Sequence, residues 1–79
     1  MQFYLGTLSK RIKKLREDKG FSKRKLAIEL NVSDTAIGDW EDGKTIPNAA
    51  YVFALAHFFS VSADYIVGLT SNPYPQKPL

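Results

Sequence analysis

At 79 residues, 44% of them hydrophobic and 24% charged, the chain holds material for one small domain with a marginal core, and a formal net charge of +3. It contains no cysteine, so no disulfide can staple it, which fits a reducing cytoplasm. No apolar run approaches the roughly 18–20 residues that a bilayer span needs, and MQFYLGTL lacks the basic start, long apolar stretch and cleavage site of a signal peptide.

In chain order, the first predicted helix carries Leu8, Ile12 and Leu15 on one narrow face and is otherwise strongly basic. Between Lys10 and Lys25 stand nine basic residues against two acidic ones, a local +7, while the rest of the chain carries −4. Such asymmetry gives a one-sided positive field suited to a polyanion. The plainer alternative is a solvated basic face. A membrane-surface helix fits less well, because the narrow apolar stripe is what a helical bundle would bury.

The segment Ser22 to Gly43 reads as two short helices folded on each other around a four-residue turn. Ser22 is a good N-cap, and Leu26, Ala27 and Leu30 follow at the spacing of one buried helical face. Asn31 falls where the chain must reverse and tolerates a left-handed backbone. Val32 plugs the turn. Ser33 then caps a second helix, with Ile37 and Trp40 facing inward and Gly43 ending it.

Lys23, Arg24 and Lys25 occupy the first turn after Ser22, where the helix dipole favours anions. Cations there each cost about 0.3–1 kcal/mol, so a sequence shaped only for stability would carry acids. A phosphate docked on that turn reverses the sign, held by exposed backbone N–H groups and the cations together. Ser22, Lys23, Arg24 and Lys25 are therefore read as a phosphate clamp, with Arg11 and other cations of the first helix adding to it.

These residues together resemble the helix-turn-helix of the lambda-repressor-like family, the Cro/cI or XRE type. Leu8, Ile12, Leu15 and Arg16 resemble its first helix, and Gly43-Lys44-Thr45-Ile46-Pro47 the loop after its recognition helix. The segments Leu55-Ala56 to Phe59, Val61-Ser62 and Asp64 to Leu69 are similar to its closing helices. The resemblance implies an all-α bundle of five helices over residues 7–69, an N-terminal extension at 1–6, and a proline-rich tail or linker start at 70–79. It also implies function: sequence-specific binding of duplex DNA by a transcriptional regulator, resembling phage and bacterial repressors that occupy an operator.

The outward positions that match the family's base-reading residues are Asp34, Thr35, Gly38 and Asp39. The helix from Ser33 to Asp42 holds four acids and no base, which is unusual beside phosphates. An Asp can still accept a hydrogen bond from a cytosine amino group, and Thr35 can donate to a base or touch a thymine methyl. Alternatively, Asp34 complements the dipole at its helix start and Asp39 is merely solvated. The resemblance further implies an Arg16–Glu41 ion pair tying the recognition helix to the first helix. Lys44 matches a frequent backbone-contacting position, and Lys23 stands where the family commonly has Gln.

The fourth helix, capped by Asn48, is apolar almost all round: AAYVFALAHFF. By resemblance Val52, Phe53, Leu55, Ala56 and Phe59 point inward, leaving Tyr51, Ala54 and Phe58 as a partner or dimer surface, unless Phe3, Tyr4 and Leu5 or the tail around Tyr74 cover it. A two-fold homodimer would set two recognition helices about one DNA turn apart, roughly 34 Å, and read a palindrome.

Enzyme readings lack parts. One His and no Cys leave no metal-ligand pair, no cysteine nucleophile and no serine triad, and the glycines do not form a phosphate-binding loop. His57 reads as a surface residue. No cofactor, metal or small-molecule substrate is expected, and the expected location is the cytoplasm. The alternative function is a protein-interaction module, such as an antitoxin or complex subunit, whose acidic recognition helix faces protein.

Overall fold

The computed structural model describes residues 5–74, which form five helices in the order α1 (Leu5–Asp18), α2 (Lys23–Leu30), α3 (Asp34–Asp42), α4 (Ala49–Phe59) and α5 (Ala63–Val67). The bundle is all-α, and α1 begins two residues before the domain start expected from the sequence. Phe3 and Tyr4, offered as a cover for α4, lie outside the described residues, as does the tail from residue 75.

Local chemistry sets the helix ends. Ser22, Ser33, Asn48 and Ser62 each hold an extended backbone, and each side-chain oxygen accepts the N–H three residues on, at 3.0 Å. Each cap satisfies a donor that the helix itself leaves unpaired and stabilises by about 1 kcal/mol. At the other ends, Asn31 (φ 57°) and Gly43 (φ 77°) turn left-handed and direct their N–H groups back to carbonyls of the preceding turn. Gly43 also lies close to α1: a Cβ there would stand 3.6 Å from Ser9 Oγ. Ser60 adopts the same left-handed backbone at φ 57° after α4.

The five helices meet at a centre to which each sends one wholly buried aliphatic side chain: Ile12, Leu26, Ile37, Leu55 and Ile66. Burial of such a side chain is worth about 1.5–3 kcal/mol, so these positions hold the helices together. Leu8, Trp40, Val52 and Phe59 surround them. Ala27 is buried where α2 meets its neighbours, and Val32 packs half-buried against the core from the α2–α3 turn.

On α4 the structure corrects the face assignment. Phe53, expected inward, is 66% exposed, whereas Tyr51, Ala54 and Phe58 are half-buried. The cause is a set of aromatic contacts from elsewhere in the chain. The Tyr51 ring lies 5.5 Å from Trp40 of α3, and Phe58 lies 5.6 Å from Phe21 in the α1–α2 turn and 5.1 Å from Phe59. Tyr51 and Phe53 stand about 200° apart around the helix, so turning one inward turns the other out. Tyr74 of the tail is itself 71% exposed.

Residues 70–74 nonetheless pack back onto the domain. The Pro73 carbonyl accepts the Ser62 N–H at 2.8 Å, and the Thr70 carbonyl accepts Arg11 at 2.8 Å. No helix among the described residues is long and apolar enough to cross a membrane.

Candidate nucleic-acid interface

Besides the apolar core, one buried ion pair ties α1 to the α2–α3 pair. Arg16 donates through Nε to Glu41 Oε2 at 2.6 Å and through a second nitrogen to Oε1 at 3.0 Å, and it also donates to the Phe21 carbonyl at 2.7 Å. The fork therefore fixes the end of α3 and the turn that leads into α2. Both side chains are almost fully buried. The Glu41 hydrogen bond raises the Arg16 pKa, with burial pulling against it and the Glu41 and Glu17 charges adding to the rise. A guanidinium whose folded pKa exceeds its unfolded value contributes fully below the unfolded value and loses that contribution only as pH rises through the folded one. That window lies far above neutrality, so the arginine keeps its charge throughout the working range.

The clamp residues sit at the start of α2, exposed, with the Ser22 hydroxyl engaged as a cap. Their three cations point to different neighbours. Lys25 pairs with Glu29 at 3.0 Å along its own helix, and Arg24 lies 3.9 Å from Asp34 at the start of α3. Lys23 reaches across to α3: its Nζ lies 3.9 Å from where a Cβ on Gly38 would be. These exposed pairs are each worth at most about 1 kcal/mol and yield readily to a phosphate.

Arg11 of α1 has partners within the domain. Its guanidinium donates to the Tyr65 and Thr70 carbonyls and lies 4.0 Å from the centre of the Tyr65 ring. Both hydrogen bonds run from one nitrogen of the guanidinium and tie α1 to the C-terminal end of α5, so Arg11 has a structural role beside its expected phosphate contact. Lys10 and Lys13 of α1 are exposed, as is Lys44 beyond the end of α3. The Lys44 N–H donates to the Asp39 carbonyl at 2.9 Å, which fixes the loop that carries its side chain.

Along α3, Ile37, Trp40 and Glu41 face inward. Asp34 and Thr35 are exposed, and Gly38 and Asp39 are half-buried. The four candidate reading positions thus share the face turned away from the core, next to the first turn of α2. The approach of Lys23 to Gly38 was missed in the sequence. Its one signal was a glycine inside a helix with no turn to make.

A sequence profile of the helix-turn-helix family matches residues 12–66, which spans the core of α1 through Ile66 of α5. The chain belongs to the helix-turn-helix family, of the XRE type. Among its relatives, the HTH-type transcriptional activator BcrR of Enterococcus faecalis is 37% identical over 59 residues, covering 75% of this chain and 29% of that protein. The uncharacterized HTH-type transcriptional regulator YobD of Bacillus subtilis is 30% identical over 66 residues, 84% of this chain and 59% of its own. The HTH-type transcriptional regulator ImmR of Bacillus subtilis is 27% identical over 62 residues, 78% of this chain and 49% of its own. This helix-turn-helix chain therefore spans between 29% and 59% of the length of these curated relatives. Among the described residues, no group of three or more His, Asp or Glu side chains is arranged to hold a metal ion.

Proposed function

We propose that this chain binds duplex DNA with sequence selectivity and regulates transcription by occupying an operator, as a cytoplasmic repressor. The observation that carries the reading is the first turn of α2, where Lys23, Arg24 and Lys25 stand exposed against their own helix dipole, beside the outward face of α3. Phosphate on that turn is held by Ser22, Lys23 and Arg24 together with its free N–H groups, and Lys44 and the α1 lysines extend the contact. Asp34, Thr35, Gly38 and Asp39 face the bases. Family membership and the names of the relatives support transcriptional regulation, and one of those relatives, BcrR, is named an activator.

In this reading the protein acts as a homodimer on a palindrome. Its second copy docks on α4, where Phe53 is 66% exposed and Tyr51, Ala54 and Phe58 keep part of their surface open. Sedimentation of the parent beside Phe53→Asp tests this: a dimer that the substitution dissociates is expected, and a monomeric parent at all concentrations removes the claim.

A mobility shift on random duplex at low salt, followed by site selection, tests the main reading. Retarded duplex and a selected motif are expected. A second reading, a protein-interaction module such as an antitoxin or complex subunit, draws on the four acids and absent bases of α3. It is favoured if no duplex is retained at any salt concentration.

A further inference from the structure

α3 has no basic side chain, yet a cation does lie on its outward face. The Lys23 ammonium reaches over from α2 and stands 3.9 Å from the position of a Cβ on Gly38. Gly38 is one of the four outward positions, and it has no side chain to present to a base. The ammonium stands at ordinary contact distance from that position, over a helix surface that no side chain of Gly38 covers. Helix-interior glycine costs roughly 0.5–1 kcal/mol relative to alanine, and Gly38 makes no positive-φ turn that would require it.

We infer that Lys23 is a specificity-determining residue: it reads a guanine in the major groove across Gly38, supplying from α2 the donor that α3 lacks. This rests on the DNA-binding reading above and changes the part Lys23 plays in it from backbone anchor to base reader. The chemistry follows from the group. An ammonium carries donors and no acceptor, so among base edges it matches the paired O6 and N7 acceptors of guanine. Its neighbours on the same face, Asp34 and Asp39, are acceptors only when ionised and match the cytosine amino group instead. Arg24 is different. It stands 3.9 Å from Asp34 at the start of α3, on the turn of α2 where the proposed phosphate docks.

The test is site selection and titration with the full chain, comparing the parent with Lys23→Met and Arg24→Met, both exposed positions where the substitution keeps side-chain bulk. The parent motif contains a guanine in each half-site. Lys23→Met loses the preference for that guanine and binds the parent site about 10- to 100-fold more weakly, with little change on sites altered at that base. Arg24→Met weakens all sequences alike and lowers the salt slope by about 1, with the motif intact. The inference is overturned by a parent motif lacking guanine. It is equally overturned if Lys23→Met behaves as Arg24→Met does, with the motif unchanged, and in that case DNA binding itself stands. If the parent retains no duplex at all, the DNA-binding reading falls and takes this inference with it.

Discussion

The two helices of the helix-turn-helix carry opposite electrostatic messages on one scaffold. α2 begins with three cations in a turn that electrostatics alone would fill with acids, while α3 begins with Asp34 and carries three further acids and no base. On stability grounds α3 is the ordinary helix and α2 the costly one. In the proposed function that difference divides the work: the helix built against its own dipole takes the phosphate, and the helix built with it reads the bases. Contacts between them soften the contrast, since Arg24 lies beside Asp34 and Lys23 beside Gly38. A charge map of the folded face is therefore less divided than the sequence.

The largest effect expected from breaking this arrangement is on its frame. Removing one partner of the buried pair, by Glu41→Ala or Arg16→Met, leaves an uncompensated buried charge and should destabilise by about 3–5 kcal/mol in urea denaturation. Replacing both by apolar residues, Arg16→Met with Glu41→Leu, should recover most of that loss, because the desolvation cost of both ions is removed together. An Arg16→Met variant as stable as the parent would show that the pair holds nothing.

Next in size, Lys23→Glu with Arg24→Glu should weaken DNA binding by about two orders of magnitude at low salt and flatten its salt dependence, measured by fluorescence anisotropy. Unchanged binding would show that the basic helix is only a solvated face. On the acidic side, Asp39→Ala should relax the selected motif at one position of each half-site, a loss of about 1–3 kcal/mol in discrimination. An unchanged motif would mean that Asp39 reads nothing. The smallest effect concerns the seam between the helices. Gly38→Ala should raise stability by about 0.5–1 kcal/mol, since the added methyl meets the flexible Lys23 terminus only at ordinary contact distance. A loss of stability in thermal unfolding would show that the glycine serves packing.

Much of this was legible before any coordinates. The helix ends were readable because a cap and its N–H partner lie three residues apart: Ser22, Ser33 and Asn48 cap as their sequence context predicts, and Asn31 and Gly43 turn left-handed. The amphipathic faces of α1, α2 and α3 were readable for the same local reason. The face of α4 was not, because apolar residues surround that helix and periodicity cannot choose among them. Phe21 and Trp40 made the choice, covering Phe58 and Tyr51 and leaving Phe53 outside. Arg11 shows the same limit. As one of nine cations it gave no sign of a structural tie, because the carbonyls that one of its nitrogens meets lie 54 and 59 residues further along the chain. Lys23 and Gly38 are separated by a helix and a turn, and only the fold brings them together.

The account rests on the claim that the basic turn of α2 and the outward face of α3 form one DNA-reading surface. The most direct test is the affinity of the full chain for its selected duplex and for a scrambled duplex, each titrated between 50 and 200 mM salt (about the range over which phosphate contacts are read). Binding should be tighter on the selected duplex, with both affinities falling steeply and linearly on logarithmic axes as phosphate contacts are screened. Binding that ignores both salt and sequence, or no binding at the lowest salt, would contradict it.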